Sequence, residues 1–375
     1  MRIGISTRIL LSTTTGMRRY TLELINQLKK IIKPSDELIF FWGPGYEETD
    51  YLIEKDEINK IKISKKIKKQ KLWEQFILPY RMKKNNLDIY HCTTNYNIPF
   101  LNLTKIPIIL TIHDIIPVIY PRYYSKYENI RFSFASKSAD YIIADSENTK
   151  NDLINKLKVN SEKISVIPLD ISKKFFKKNI KVSKLDEVKN KYRINSPYLL
   201  ATGGPLEAKN NYFLFDVMKY GIEKYSNIFE NLELVVTSPR WLESRIPEST
   251  PDNINFVGYI EEEDFPVLLS GAEIFLFPSL YEGFGLPPLE AMAAQTAVIG
   301  SNKSSIPEVV GDAGLLLDPS DCEKWVNAIK KVLSGNQREY YIEKSLKRLD
   351  EFSWKKSAEK LYEIYEKINF KFNKK

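Results

Sequence analysis

Ile274-Phe-Leu-Phe277, then Glu282-Gly-Phe-Gly-Leu-Pro-Pro-Leu-Glu290, is where the chain declares its architecture. The apolar run reads as a buried parallel strand, closed by Pro278-Ser279. Pro287 and Pro288 lack backbone N–H groups and so fit a first helical turn, where those donors have no partner anyway. Strand, short loop and helix start follow one another within seventeen residues. Gly283 and Gly285 let backbone approach a ligand closely, and the amides of a helix start suit a pyrophosphate. Glu282 stands in the loop and Glu290 about one turn into the helix. Taken singly, each glutamate reads equally as a solvated loop residue or as a first-turn acid favoured by the helix dipole. As a pair flanking an anion site, they suit a ligand with hydroxyls on both sides of its phosphates, such as a nucleotide sugar.

The same alternation runs through the chain. Arg2-Ile-Gly-Ile-Ser6 reads as a strand, followed by a polar loop ending at Gly16 and a helix over 17–30. Leu38-Ile-Phe-Phe-Trp42, Ile108-Ile-Leu-Thr-Ile112, Tyr198-Leu-Leu-Ala201 and Leu232-Glu-Leu-Val-Val236 continue the strands. Gly204 and then Lys209-Asn210 follow the 198–201 strand at a third strand-to-helix junction, where Lys209 supplies a point charge for a diphosphate. His91 and His113 end strand-like runs, where ligands of open α/β sheets bind. His91 reads as structural. His113, next to Asp114, reads as a neutral imidazole able to hydrogen-bond a sugar hydroxyl. Ser146 is placed to cap a helix running to about Leu157.

At 375 residues the chain has room for two domains. Two cysteines, Cys92 and Cys322, exclude a disulfide framework and point to a reducing compartment. The N-terminus lacks the apolar core of a signal peptide, and no run approaches the ~18 residues of a membrane span. A cytoplasmic protein is expected, in part peripheral at the inner face of a membrane. The net charge of +8 is uneven: residues 1–180 carry 31 Lys and Arg against 19 Asp and Glu, and the remainder carries 25 against 29. Seven lysines crowd Lys60–Lys71, ahead of a helix over 72–84 bearing Trp73, Phe76, Ile77 and Tyr80. Lys60–Lys84 is therefore a candidate contact with an anionic membrane surface; a solvated charge run before a core helix is the alternative. No recognised nucleic-acid motif accompanies the charge, and nucleic acid is not an expected partner.

Glu282-Gly-Phe-Gly-Leu-Pro through Glu290 resembles the E-x7-E signature of the retaining glycosyltransferases of family 4 (group 1). Thr111-Ile-His-Asp-Ile-Ile-Pro117 and Ala139-Asp-Tyr-Ile-Ile-Ala-Asp-Ser146 look like its mannosyltransferase-like branch. The resemblance implies an α/β protein of the GT-B fold: two Rossmann-like doubly wound domains facing each other across a cleft. Its expected parts are an acceptor-side domain over 1–175, a hinge over 176–196, a nucleotide-sugar domain over 197–353, and a last helix, 354–375, crossing back to the first domain. It further implies a retaining hexosyl transfer, mannose favoured, from a nucleotide diphosphate sugar (GDP-mannose first) to a saccharide or lipid-linked acceptor of surface polysaccharide. No Asp-x-Asp pair occurs, so neither a metal nor a cofactor is expected beyond the donor substrate.

Catalytic contacts are expected from His113 and Glu282. Donor binding is expected from Gly16, Gly204, Lys209, Asn210, Gly283, Phe284, Gly285, Leu286 and Glu290. Two positions depart from the family pattern: Arg18 replaces a glycine, and Ala208 replaces the arginine before Lys209. These losses keep a non-catalytic nucleotide-sugar-binding scaffold in view, and a sugar-nucleotide epimerase shares the architecture.

Overall fold

The structure, a computed structural model, describes residues 1–12, 16–44, 70–100, 102–195, 197–203, 207–237 and 250–374. The chain divides into two compact units, Met1–Leu169 with Ser353–Lys375, and Asp170–Phe352.

The first unit is built on strands β1 (Arg2–Ser6), β2 (Glu37–Phe41), β3 (Ile89–Cys92), β4 (Ile108–Ile112), β5 (Tyr141–Ala144) and β6 (Ile164–Val166). All pair in parallel, in the order β2-β1-β3-β4-β5-β6. Every residue of β3 and β4 is buried, which explains why these strands are apolar without alternation: helices cover both faces. Helix α1 (Gly16–Ile31) turns Tyr20, Leu24, Ile25 and Leu28 inward. Helix α2 (Lys126–Ser138) begins with a Ser125–Glu128 capping box, and α3 (Glu147–Leu157) is capped by Ser146 Oγ accepting from the Thr149 amide, 3.1 Å away.

Between β2 and β3 lies a helical run over 70–84 with a π-helical turn at Trp73–Ile77. Pro79 has no N–H to continue the α ladder, and the register slips in the turn before it. The slip points Trp73 and Glu74 inward together. Glu74 forms an ion pair with Arg131 of α2, both side chains being almost wholly buried. The Arg131 guanidinium also lies 5.2 Å from the Tyr96 ring. Burial, and after it the Arg8 charge, pulls the Arg131 pKa down to about 10, which still leaves it protonated at neutral pH.

The second unit carries β7 (Tyr198–Thr202), β8 (Glu233–Thr237), β9 (Ile254–Phe256), β10 (Ile274–Phe277), β11 (Ala297–Ser301) and β12 (Leu315–Leu317), again all parallel, in the order β12-β11-β10-β7-β8-β9. Helix α4 (Asn211–Phe229) packs Leu214, Val217 and Met218 on this sheet together with Trp325 and Ile329 of the helix Cys322–Leu333. Helix α5 (Leu286–Ala293) follows β10.

The stretch 176–196, read from its Lys- and Asn-rich composition as a hinge, is part of the second unit and holds a helix at Leu185–Lys191. Val188 and Ile194 are buried there, Phe175 stacks edge-on against Phe265 at 6.1 Å, and Leu185 packs over Gly271. Few apolar residues, well spaced, were enough to fold it. The last helix, α6 (Trp354–Asn373), belongs to the first unit. It packs on α1, and Tyr362 bonds Asp36, Glu366 pairs with Lys33, and the Tyr365 hydroxyl lies 2.6 Å from His91 Nδ1.

The Glu74–Arg131 pair generates a stability prediction. Arg131→Met leaves a carboxylate buried without its cation and is expected to lower stability by about 3–5 kcal/mol. Replacing both, as Glu74→Leu with Arg131→Met, is expected to recover most of the loss. Urea unfolding of the three chains measures both outcomes.

Candidate active site

In the second unit the chain lays β8 and β9 on one side of β7, then returns to lay β10, β11 and β12 on the other. The carboxyl ends of β7 and β10 are thus neighbours at the point where the order reverses, the usual ligand crevice of such sheets. Leu199, Leu200 and Ala201 are in register with Ile274, Phe275 and Leu276. The turns that leave these two strands bring together residues some seventy positions apart in sequence.

Lys209 ends the short 3-10 turn Glu207–Lys209 and donates from Nζ to Glu282 Oε1, 2.7 Å away. The ammonium also lies 5.6 Å from the Phe277 ring. Lys209 remains about a quarter exposed and Glu282 about an eighth, so the pair faces solvent at one side. The loop carrying Glu282 is braced by two hydroxyls: Ser304 Oγ exchanges hydrogen bonds with the Glu282 backbone at 2.6 and 3.2 Å, and Ser305 Oγ donates to the Phe284 carbonyl at 2.7 Å. Gly285 caps α5 at φ 117°, a conformation closed to side-chain-bearing residues. Pro287 and Pro288 fill the first turn as expected, but they also remove two amide donors. The backbone amides of Phe284, Gly285 and Leu286 are the turn's candidates for an anion. Glu290 is 2% exposed, within the second turn of the helix.

Other expected site residues have different work. The Phe284 ring turns inward against Phe352, 5.9 Å away, so only its backbone belongs to the loop surface. Asn210 adopts a left-handed backbone, and its amide nitrogen donates to the carbonyls of Pro278 and Pro319 at 3.3 and 2.9 Å. It ties the two turns together rather than offering its amide to a ligand. Ala208 is fully buried and its carbonyl accepts from the Leu280 amide at 2.7 Å; an arginine side chain has no room there, which accounts for this departure locally. Gly204 lies outside the described residues. Gly16, the first residue of α1, belongs to the first unit. Nearby, Arg18 Nε donates to the Leu10 carbonyl at 3.3 Å.

His113 also belongs to the first unit, and its ring makes two hydrogen bonds within the protein. Its Nδ1 is 2.6 Å from Asp145 Oδ2, and its Nε2 is 2.9 Å from the Thr93 carbonyl oxygen. A carbonyl only accepts, so Nε2 carries a proton, and both ring nitrogens are committed within the protein. Burial opposes the imidazolium, but the Asp145 charge and hydrogen bond outweigh it, and the His113 pKa is raised. Asp145 sits just past β5, out of sight of any local pattern around residue 113. His91, by contrast, is structural as read: burial pushes its pKa down to about 3, and it bridges Thr111 and Tyr365.

A paired carboxylate and ammonium thus stand beside a glycine turn at the switch point of a Rossmann-like sheet. Comparison with known proteins gives the class. Residues 14–171 match the model of Glycosyltransferase Family 4, and residues 232–348 that of Glycosyl transferases group 1. The chain belongs to this family and is a glycosyltransferase. It is 26% identical over 390 residues to O-antigen chain mannosyltransferase B of Escherichia coli, across 97% of this chain and 99% of that one. O-antigen chain mannosyltransferase RfbU of Salmonella typhimurium is 30% identical over 247 residues, 64% of each chain. Sucrose-phosphate synthase from Thermosynechococcus elongatus has the same fold, with a TM-score of 0.72, 18% identity and 98% of both chains covered. The fold is GT-B.

The His113–Asp145 pair makes stability depend on pH. A histidine whose folded pKa is raised contributes stability that is complete below its unfolded value of 6.5 and is lost as pH rises through the folded value. Urea midpoints are therefore expected to fall with rising pH above that value, and Asp145→Asn is expected to flatten this dependence.

Proposed function

We propose that this glycosyltransferase transfers a mannosyl residue from a nucleotide diphosphate sugar, GDP-mannose first, to a hydroxyl of a saccharide or lipid-linked saccharide in surface polysaccharide synthesis. The observation that carries the proposal is the Lys209–Glu282 pair beside the Gly285 turn. An arriving diphosphate offers the ammonium a partner of higher charge than one carboxylate, so Lys209 turns to the phosphates and Glu282 is released to accept from the hexose hydroxyls. Glu290 accepts from the ribose diol. The Phe284–Leu286 amides and Lys209 stabilise the departing diphosphate in position before reaction, without a metal. With retention, the bond from the anomeric carbon to the phosphate oxygen breaks on the face where the acceptor oxygen bonds, and the leaving phosphate takes the acceptor's proton. The names of the O-antigen relatives support mannose and the polysaccharide acceptor.

Incubation with a panel of nucleotide sugars, following nucleoside diphosphate release and glycan product, tests this reading. GDP-mannose is expected to turn over best, without manganese. Lys209→Ala is expected to lower turnover by roughly 10²–10³-fold, the usual loss for one preorganised donor, and Glu290→Gln is expected to weaken donor binding. A strict requirement for manganese, or unchanged turnover in Lys209→Ala, would remove the proposed mechanism.

The acceptor reading includes an anionic membrane surface. Lys60–Lys69 lie outside the described residues, but the helical run that follows exposes Leu72, Phe76 and Tyr80, at 48, 69 and 64%, four residues apart. Lys83 and Lys84 are exposed at its end. Ile130 and Phe134 are exposed on α2, which the Arg131–Glu74 pair joins to that run. Apolar rings with flanking ammonium groups fit an interface of anionic lipid. Among the described residues no helix is long and apolar enough to cross a membrane. Flotation with phosphatidylglycerol vesicles is expected to carry the protein, phosphatidylcholine vesicles to leave it behind, and Phe76→Asp with Tyr80→Asp to abolish flotation. Equal flotation of that variant would exclude this surface.

A further inference from the structure

Beside His113 runs a chain of buried polar side chains that the donor chemistry does not use. Thr111 lies in β4 and His113 just past its end, two residues on and so on the same face. Tyr20 of α1 meets both. Its hydroxyl is 3.0 Å from Thr111 Oγ1, and its ring meets the His113 imidazole edge-to-face, with centroids 4.8 Å apart. Thr111 Oγ1 is also 2.8 Å from Nε2 of His91, on the adjacent strand β3. His91 Nδ1 in turn is 2.6 Å from the Tyr365 hydroxyl of α6. Trp354, which opens α6, packs on Tyr20 directly, ring centroids 6.1 Å apart. The last helix thus reaches the His113 ring by two routes, one hydrogen-bonded and one aromatic.

The chain is suited to hold geometry. Tyr20 is 1% exposed, and Thr111, His91 and Tyr365 are fully buried. A partner lost from such a chain leaves a buried polar group unmatched, which is costly, so its members hold one another in place. His91, whose pKa burial pushes down to about 3, is uncharged at neutral pH and sets no second cation beside His113. The His113 ring itself is held at opposite nitrogens by Asp145 and the Thr93 carbonyl. Two bonds made in the plane of a ring leave it free to tilt about the line joining them. The Tyr20 ring, set at 79° to the imidazole, stands against that tilt.

We infer that Tyr20 is a positioning residue for His113, and that Tyr365 of the last helix sets Tyr20 through His91 and Thr111. The inference rests on the glycosyl-transfer reading above and on the catalytic contact expected of His113. It makes α6 part of the support of the reacting centre as well as a packing helix of the first unit.

The test compares two tyrosines of one helix in the full chain. Tyr365→Phe removes the hydroxyl that holds His91, whereas Tyr362→Phe removes one that bonds Asp36 and leaves the chain to His113 intact. Both variants are expected to lower the urea midpoint. With GDP release from GDP-mannose as the assay, Tyr365→Phe is expected to lower kcat about tenfold at unchanged KM, within the loss that a small misplacement of a reacting group brings. Tyr362→Phe is expected to leave both constants unchanged. Tyr20→Phe, which keeps the ring and loses the hydroxyl, is expected to match Tyr365→Phe and keeps the test valid if that variant folds poorly; Tyr20→Leu is expected to fall further. The chain has two histidines, so imidazole NMR resolves each ring. The His113 signals are expected to shift in Tyr365→Phe and to stay in place in Tyr362→Phe. Three results overturn the inference: equal loss of kcat in Tyr362→Phe and Tyr365→Phe, unchanged kcat in Tyr20→Phe, or unmoved His113 signals in Tyr365→Phe. Absence of GDP release by the wild-type chain would count against the donor reading alone, while the His113 signals still judge the positioning chain.

Discussion

A parallel strand cannot follow its neighbour through a tight turn; the chain must cross over and re-enter from the same end. All strands of each sheet therefore deliver their connections to one edge, and wherever the lateral order reverses, two of those connections diverge and leave a crevice. This constraint accounts for most of what the protein places at its functional surfaces. In the second unit it sets the turn after β7 beside the turn after β10, so that Lys209 meets Glu282. In the first unit it opens a cavity between the ends of β1 and β3.

Three ion pairs differ in how far burial closes them from solvent. Glu74–Arg131 is almost wholly buried and joins a helical run to α2. His113–Asp145 is equally buried, and a backbone carbonyl holds the second ring nitrogen. Lys209–Glu282 alone of the three opens partly to solvent, and its partners hang on short turns. A pair in that setting is weakly held by its own attraction and readily exchanged for a ligand's charges. The serine braces at 304 and 305 hold the backbone while the side chains remain free to trade partners.

The departures from the family pattern also become physical at this level. Ala208 is buried against the β10 turn, where a long cation has no space. Asn210, whose position beside Lys209 looks like a ligand contact, instead uses its amide to fasten two turns at the left-handed residue between them. Both residues fix the backbone on either side of Lys209.

Much of this was open to reading in one dimension. Uninterrupted apolar runs such as 108–112 and 274–277 mean strands covered on both faces, prolines at 287 and 288 mean a helix start, Ser146 means a cap, and the Glu282–Glu290 string names the family; each is a local property of backbone sterics or burial. Whatever depends on partners distant in sequence was not open. The fold alone decided that Asp145 and Thr93 would occupy both nitrogens of His113, that Glu74 would find Arg131, and that residues 176–196 would fold into the second unit. Periodicity records which side of an element is covered, but carries no information on what covers it, because that is settled by the order in which strands are laid side by side.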